Sequence, residues 1–411
     1  MRDYIRDVFE TLDEKEVNYA VLRGYMPLEE MQTSSDIDVY VYPKDLAKTK
    51  GVLEGLGFKT PRINACNYPH VQYFLLTAEK LLKIDIVTEL CFGESLLTYV
   101  PEDTLLQHIE KREFIKTFRS DIALELFVLH VVYDKGALST QNALRLQCFL
   151  EECNYGIHPA IKEFCDLFLE GSDVETLNQM ILRMREVLKC DEDLLREKSN
   201  LAQLKRRTDR NVKWRYRFHR FPRKSIALLG VDGSGKSTTV KALQNLLGTK
   251  CCVQYMGFRE METSWGKEYY ASGKRFKFKL LPFIGIYLEM WYRYLKNRFN
   301  NYKIIFYDRF PWEAYDNGFG KYKVLYFVLF KLLFPRPKKV YYLYCSVQTS
   351  LARKDDILNE TLFINMKERF DKKYKDKKSI CSFDTDKLTT GEILDKICED
   401  IMESGFYEYL F

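Results

Sequence analysis

The sequence Ser225-Ile-Ala-Leu-Leu-Gly230-Val-Asp232-Gly-Ser-Gly235-Lys236-Ser237-Thr238 decides the fold of the C-terminal half. A hydrophobic run, residues 225–229, precedes the loop, and an amphipathic stretch begins at Lys236. The loop satisfies the pattern G-x-x-x-x-G-K-[ST], which binds phosphate groups when it lies between a strand and a helix. The flanking runs meet that condition. We therefore expect a phosphate-binding loop (P-loop) at the carboxyl end of a β-strand.

Each residue type in this loop suits phosphate binding. Gly233 and Gly235 allow the backbone to turn its N–H groups toward a phosphate. The positive end of the helix dipole that follows attracts the same phosphate. Lys236 is expected to reach the β- and γ-phosphate oxygens of ATP, and Ser237 to bind Mg²⁺. The alternative is a glycine turn that holds no ligand. The predicted nucleotide-binding residues are Gly230, Asp232, Gly233, Ser234, Gly235, Lys236, Ser237 and Thr238.

Strand-like and helix-like runs alternate from the loop to the end of the chain. This alternation predicts an α/β domain with a doubly wound parallel sheet over residues 225–411. The predicted strands are Ser225–Leu229, Cys251–Met256, Lys303–Tyr307, Lys339–Cys345 and Ile380–Asp384. The predicted helices are one that begins at Lys236, then Leu280–Phe299, Tyr322–Leu333, Ser346–Tyr374 and Gly391–Glu403.

Asp308 and Arg309 follow the buried run Lys303–Tyr307 directly. Ligands of such sheets bind at the carboxyl ends of the strands, so both side chains are expected near the P-loop. A carboxylate there can hold the shell of a magnesium ion, and a guanidinium can clamp an acceptor phosphate with two hydrogen bonds. The alternative is a structural ion pair at a strand end. We favour catalytic roles for Asp308 and Arg309 because the P-loop belongs to the same sheet.

Arg353 lies in the charged stretch Ser350-Leu-Ala-Arg353-Lys354-Asp355-Asp356, which precedes a helix rich in lysine and arginine. A mobile basic flap there could cover the transferring phosphates and supply a cation to the transition state. The alternative is a solvated helix with ion pairs between residues four apart. We assign the catalytic cation to Arg353.

Three stretches of the C-terminal half resemble thymidylate kinase and its nucleoside-monophosphate kinase relatives, over roughly residues 222–411. They are G-V-D-G-S-G-K-S-T at 230–238, F-Y-D-R-F at 306–310 and L-A-R-K with the charged helix at 351–374. The resemblance implies phosphoryl transfer from ATP with Mg²⁺. Because Ser234 stands where one subclass carries an arginine, it also implies that Arg353 supplies the cation. After Arg309 the sequence departs from the thymine-reading pattern, so no specificity for dTMP is implied.

The N-terminal half offers a second, acidic constellation. Asn18–Leu22, Asp36–Tyr42 and Leu81–Thr88 read as strands. Asp36 and Asp38 share one face of a strand because side chains alternate with a period of two, and Asp85 occupies a similar position on a later strand. Three acids on adjoining strands can hold two Mg²⁺ ions around a triphosphate. The alternative is the polar face of an edge strand.

The preceding Gly24, the Asp-x-Asp pair and the third acid resemble the DNA polymerase beta-type nucleotidyltransferase superfamily, over roughly residues 1–140. The resemblance implies that Asp36, Asp38 and Asp85 are catalytic metal ligands and that Gly24 contacts nucleotide. Tyr25 departs from the small residue that is usual there. Lys135 could bind a phosphate, although a helix end capped by Gly136 is the favoured interpretation. Helical spacing from Thr104 to Lys198 predicts an α+β domain with a helical extension.

Composition divides the 411 residues into two unlike halves. Residues 1–200 hold 23 Lys and Arg against 35 Asp and Glu, whereas residues 201–411 hold 41 against 23. We expect domains at 1–140 and 225–411, a helical extension at 141–200 and a basic, aromatic linker at 201–224. Eleven cysteines without a C-x-x-C pair indicate reduced thiols in the cytoplasm rather than a zinc ribbon or a disulfide framework. No secretory signal or membrane span is predicted.

Together these patterns predict a two-domain enzyme. The C-terminal domain is expected to be an ATP- and Mg²⁺-dependent kinase that phosphorylates a nucleoside monophosphate or a related acceptor. The alternatives are a kinase of a sugar, glycan or glycolipid hydroxyl coupled to nucleotidyl transfer, and a sensor that binds nucleotide without catalysis. The expected partners are a nucleotide and a small-molecule or glycan acceptor. Binding to nucleic acid or to a membrane surface is not favoured, and the sequence leaves the oligomeric state open.

Overall fold

The computed structural model describes residues 3–22, 36–61, 70–94, 96–152, 157–198, 224–258, 260–272, 280–298, 304–313, 323–354 and 360–409. Contacts between Cα atoms divide the chain into two compact units. Unit 1 comprises Met1–Leu75 and Leu82–His219, and unit 2 comprises Leu76–Leu81 and Arg220–Phe411. The predicted linker lies outside the described residues except for Lys224.

Unit 1 is built on a six-stranded mixed sheet. Its described strands are β1 (Tyr19–Val21), β2 (Ile37–Val41), β3 (His70–Leu76), β4 (Leu81–Val87), β5 (Cys91–Phe92), β6 (Leu97–Tyr99), β7 (Ile109–Arg112), β8 (Ile115–Phe118) and β9 (Leu195–Glu197). The large sheet has the order β3-β4-β2-β1-β8-β7, and β5, β6 and β9 form a separate small sheet. Strand β2 runs antiparallel to β1 and parallel to β4, which sets Asp38 of β2 beside Asp85 of β4.

Helices cover both faces of this sheet. They are α1 (Tyr4–Glu14), α2 (Leu46–Gly55), α3 (Ser120–His130), α4 (Thr140–Glu152), α5 (Pro159–Leu169) and α6 (Val174–Lys189). Val39 packs in one hydrophobic cluster with Phe9 of α1, whereas its neighbour Tyr40 packs in another with Val128 of α3. Adjacent residues of a strand point to opposite faces, so the sheet has a core on each side.

The expectation of helical structure from Thr104 to Lys198 is wrong at both ends. At the C-terminal end, Leu195–Glu197 forms strand β9. Val100–His108 forms 3₁₀ turns, and the next two strands, β7 and β8, pair as an antiparallel hairpin. Glu113 adopts a positive φ of 51° in the turn of that hairpin. Strands of four residues are too short for their alternation to stand out from the helical spacing around them.

Unit 2 contains a parallel five-stranded sheet with helices, as the alternation predicts. Its strands are β10 (Lys224–Leu229), β11 (Cys251–Tyr255), β12 (Ile304–Asp308), β13 (Lys339–Tyr344) and β14 (Cys381–Asp384), in the order β11-β12-β10-β13-β14. Every neighbouring pair is parallel. The described helices are α7 (Lys236–Leu247), α8 (Ser264–Ser272), α9 (Leu280–Arg298), α10 (Lys323–Tyr326), α11 (Val347–Arg353), α12 (Glu360–Tyr374) and α13 (Thr390–Glu403).

The sheet order places β10 at the centre, between β12 and β13. The chain leaves β10 toward β11 on one side and later crosses to β13 on the other, so a ligand crevice is expected at the carboxyl end of β10. In the register of the sheet, Leu228 pairs with Asp308 of β12 and Leu229 with Tyr342 of β13. The loop after β10 therefore begins between the ends of two other strands.

Among the described parts of the chain, no helix has both the length and the apolar character that crossing a membrane requires.

Candidate active site

The P-loop of unit 2 depends on glycine at two positions. Gly230 has a φ of 148°, and a Cβ atom there would lie 2.2 Å from the carbonyl oxygen of Leu343. Gly233 has a φ of 80°, and its Cβ would lie 2.8 Å from the carbonyl oxygen of Ser350. Both distances are far below van der Waals contact. The backbone of the loop is therefore pressed against β13 and α11, which fixes the path that its N–H groups follow.

The side chain of Lys236 folds back into the P-loop and is buried there. Its side-chain Nζ donates to the carbonyl oxygen of Val231 at 2.7 Å and to Ser234 Oγ at 3.4 Å. The residue is 5% exposed, and this burial lowers the pKa of Lys236 to about 8. Thr238 lies exposed in the first turn of α7. An anionic phosphate at the loop would favour the ammonium form of Lys236 and raise its pKa.

Ser237 and Asp308 lie side by side, as a shared magnesium site requires. The hydroxyl of Ser237 donates to Asp308 Oδ2 at 2.9 Å, which joins α7 to the end of β12. A hydroxyl and a carboxylate are both hard oxygen ligands of the kind that Mg²⁺ prefers. The residues present therefore fit the predicted ion, with Ser237 and Asp308 as the protein ligands.

Arg309 lies between two carboxylates. It adopts a φ of 68° directly after β12, and its guanidinium forms ion pairs with Asp232 and, at 3.2 Å, with Glu313. Glu313 is 3% exposed, and its other oxygen accepts a hydrogen bond of 3.0 Å from the backbone N–H of Gly230. Burial raises the pKa of Glu313 above its ordinary value, although Arg309 acts in the opposite direction.

Glu313 has no role in the sequence-based assignment. Its carboxylate is the one buried anion that joins the P-loop to Arg309 among the described residues of this cleft. The only signal in the sequence is an acid four residues after Arg309. Ala314, Tyr315 and Asp316, which depart from the thymine-reading pattern, lie outside the described residues.

A cleft of about 90 Å³ lies beside Arg309. Asp232, Arg309 and Glu313 supply its charged side, and the remainder is mostly apolar. Phe310 belongs to that lining, and the ring of Trp312 packs edge-on against it with 5.0 Å between centroids. The other lining residues are Tyr255, Met256, Gly257, Phe258, Pro311 and Met366. A small molecule with an apolar or planar portion fits this surface.

Arg353 lies at the end of α11, next to the P-loop. Its guanidinium donates to the carbonyl oxygen of Gly233 at 3.3 Å and to Thr385 Oγ1 at 3.2 Å. Both of these hydrogen-bond partners are neutral groups. Asp355 and Asp356 lie outside the described residues. Lys367, on the helix that follows, forms an i,i+4 ion pair of 2.6 Å with Asp371, and both side chains are largely shielded from water.

In unit 1, Asp36, Asp38 and Asp85 converge as the sequence predicts. Asp38 and Asp85 are direct neighbours in the parallel pairing of β2 with β4. One carboxylate oxygen from each of the three acids lies within 4.8 Å of the other two. Gly24 lies outside the described residues. Lys135 is exposed just before Gly136, which ends the helical segment with a φ of 76°, so its binding to a phosphate stays a prediction.

Three side chains that the sequence did not single out contact these acids. Lys83 Nζ donates to Asp36 Oδ2 at 2.7 Å and lies 3.6 Å from Asp85 Oδ2. Gln72 Nε2 donates to Asp85 Oδ2 at 3.0 Å, and His70 Nδ1 lies 3.2 Å from Asp85 Oδ1. Burial alone would raise the pKa of Asp85, but His70, Gln72 and Lys83 together hold it below its ordinary value.

No profile of a known protein family matches the chain, and no curated protein matches it. Solved structures with detectable likeness include thymidylate kinase from Candida albicans, at 19% identity and a TM-score of 0.35 over 45% of this chain and 94% of that one. Deoxyadenosine kinase from M. mycoides appears with products dCMP and dCDP bound, at 17% identity and a TM-score of 0.31 over 44% and 98%. The same kinase with bound dATP is 18% identical, with a TM-score of 0.31 over 42% of this chain and 98% of that one. Likeness of this size indicates neither a shared substrate nor a shared mechanism.

Proposed function

We propose that unit 2 is an ATP- and Mg²⁺-dependent phosphotransferase. The observation that carries this proposal is the pairing of Ser237 with Asp308 at 2.9 Å, directly after a P-loop whose buried lysine donates to the carbonyl of Val231. A loop that only turned the chain would need neither the buried ammonium of Lys236 nor a carboxylate beside the first turn of the helix. Both are groups that phosphoryl transfer uses.

Different residues of unit 2 bind different parts of the phosphoryl donor, ATP. The loop N–H groups around Gly233 and Gly235 bind the phosphates, and Lys236 exchanges the carbonyl of Val231 for a phosphate oxygen. Ser237 and Asp308 hold magnesium, which neutralises charge on the donor phosphates when it is bound. Arg353, at the outer side of the loop, offers a cation to the charge that develops during transfer.

The resemblance to nucleoside-monophosphate kinases favours a nucleoside monophosphate, or a related compound, as the acceptor. In that interpretation the guanidinium of Arg309 binds the acceptor phosphate. The cleft beside Arg309 has the apolar and aromatic lining that a nucleobase would need. A phosphate would then have to displace Asp232 or Glu313 from the guanidinium.

The same ion pairs favour a second candidate, a kinase of a sugar or glycan hydroxyl. Asp232 and Glu313 are acceptors of hydrogen bonds, and a hydroxyl group is a donor. A neutral acceptor could bind beside Arg309 without separating it from its carboxylates. The two candidates therefore differ in whether the acceptor competes with Glu313 for Arg309.

One assay tests the proposal and separates its versions. Purified protein is given Mg²⁺-ATP with a panel of nucleoside monophosphates, nucleosides and sugars, and ADP is measured. Lys236→Ala should abolish the activity, whereas Lys241→Ala, an exposed lysine on the same helix, should not. Heat of ATP binding without ADP from any acceptor would favour a nucleotide sensor. No heat on titration with Mg²⁺-ATP would overturn the proposal as a whole.

The described cysteines are free thiols and the proposed donor is ATP, so we place the enzyme in the cytoplasm.

Unit 1 is the candidate for nucleotidyl transfer, which would require Asp36, Asp38 and Asp85 to hold two divalent ions. Lys83, His70 and Gln72 already engage two of these three acids. The contacts around the acids therefore do not fit the predicted ions, and we derive no step through a metal in unit 1.

A further inference from the structure

The acidic cluster of unit 1 has a cation of its own. Lys83 Nζ lies 2.7 Å from Asp36 Oδ2 and 3.6 Å from Asp85 Oδ2, so one ammonium bridges two of the three acids. Its side chain is 20% exposed, against 33% for Asp36 and 8% for Asp85. Ion pairs with this little access to water are screened only weakly by dissolved salt. The bridge therefore persists at physiological ionic strength.

The strand itself places this ammonium. Lys83 precedes Asp85 by two residues on β4, and side chains two apart on a strand share one face. Asp36 lies just before β2, the neighbour of β4 in the sheet. Two adjacent strands thus hold the lysine and both acids. Removing Lys83 from the acids requires rotation of its side chain, since the backbone at this position is fixed by the strand pairing.

The second acid is held by further donors. Both oxygens of Asp85 have a partner, because Gln72 Nε2 lies 3.0 Å from Oδ2 and His70 Nδ1 lies 3.2 Å from Oδ1. A divalent ion that used Asp85 would share its oxygens with these two donors and would also have to approach the ammonium of Lys83, 3.6 Å from Oδ2. Like charges at such separations repel strongly in a partly buried site.

We propose that Lys83 is the resident cation of this cluster and takes the position of a divalent ion, so that the three acids bind no magnesium at cellular concentrations. Asp36 and Asp85 then serve to hold Lys83, Gln72 and His70 in one network. This inference concerns unit 1 alone and does not depend on the phosphotransferase activity of unit 2.

Binding of Mn²⁺, followed by the electron paramagnetic resonance signal of the free ion, tests this inference. The full-length chain is used with Asp308→Asn, so that the candidate metal ligand of unit 2 is absent throughout. In this background we expect no saturable Mn²⁺ site below about 1 mM, which covers the usual cellular range of free Mg²⁺. Adding Lys83→Met should create a site whose dissociation constant for Mn²⁺ lies at least about tenfold below that limit of about 1 mM, because the competing charge is gone. Adding Asp85→Asn as well should abolish it.

Lys116→Met is the matched control. Lys116 forms an ion pair of 3.0 Å with Asp13 in the same unit, and its exposure of 25% is close to that of Lys83. Its removal frees no cluster of three acids, so no Mn²⁺ site should appear. Thermal unfolding checks that the Lys83→Met chain is folded.

Two results would overturn the inference. One is a saturable Mn²⁺ site in the chain that retains Lys83, if Asp36→Asn or Asp85→Asn removes it. This measurement needs no substitution of Lys83, so it stands even if Lys83→Met does not fold. The other is a folded Lys83→Met chain that gains no Mn²⁺ site.

Discussion

The backbone N–H of Gly230 donates a hydrogen bond of 3.0 Å to the Oε1 atom of Glu313, a residue 83 positions later in the chain. The other oxygen of the same carboxylate pairs with Arg309. The first glycine of the P-loop and the arginine of the neighbouring cleft are thus joined through one buried anion. Under the proposed function, the donor and acceptor sides of the site would share this carboxylate.

Glu313→Gln should shift the choice of acceptor toward phosphates. The substitution removes one of the two negative charges on Arg309, so a phosphate meets less competition. A hydrogen bond to a charged group contributes ~1.5–3 kcal/mol, which corresponds to about tenfold or more in relative turnover. ADP release with monophosphates, divided by that with uncharged acceptors, measures the effect. Glu368→Gln, an exposed acid on α12, is the control, and an unchanged ratio in Glu313→Gln would contradict the expectation.

Asp308→Asn should raise the magnesium requirement of the phosphotransferase. The carboxylate lies beside Ser237 Oγ, and an amide is a weaker ligand for a hard cation. We expect the magnesium concentration for half-maximal activity to increase about 10- to 100-fold. Glu399→Gln, on the exposed side of α13, should leave it unchanged. An identical magnesium dependence in Asp308→Asn and the wild type would remove Asp308 from the metal site.

Binding of ATP without magnesium should take up a proton near pH 8. Burial lowers the pKa of Lys236 to about 8, so about half of the free protein carries a neutral amine at that pH. The phosphates favour the ammonium and raise its pKa, so a proton is gained on binding. Calorimetry at pH 8, where the phosphates of ATP are fully ionised, should give different binding enthalpies in two buffers of different ionisation enthalpy. Lys236→Ala must lose this buffer dependence if the assignment is right.

Gly230→Ala should destabilise unit 2 and abolish nucleotide binding. A methyl group at this position would lie 2.2 Å from the carbonyl oxygen of Leu343, and the φ of 148° is one that only glycine adopts readily. The cost in the free energy of unfolding is expected to be about 3 kcal/mol or more. Gly391→Ala is the control, because its nearest contact would be at an ordinary 3.9 Å. Thermal unfolding and the heat of ATP binding report the two effects, and a stable variant that binds ATP would contradict the expected clash.

The parallel sheet of unit 2 was predictable because its signals are local. The strand before Gly230, the loop and the amphipathic start of α7 are contiguous in the sequence. Asp308 could be assigned to the same edge as the loop, since parallel strands end together. The convergence of Asp36, Asp38 and Asp85 was likewise expected from their positions on two strands.

Contacts between distant segments could not be predicted in this way. The pairing of Gly230 with Glu313 depends on how the chain turns after β12, and the positive φ of Arg309 gives no signal in the sequence. His70 and Gln72 reach Asp85 only because β3 lies next to β4. The contacts of Lys83 with Asp36 and Asp85 alter the chemistry expected of the acids most.

The edge-on contact of Trp312 with Phe310 gives the cleft beside Arg309 an intrinsic fluorescent reporter. An indole ring this close to a phenyl ring that lines the cleft should change its fluorescence when the cleft fills. Subtracting the emission of Trp312→Phe isolates that indole from the other tryptophans. Unlabelled compounds can then be screened as occupants of the cleft before any product of the reaction is known.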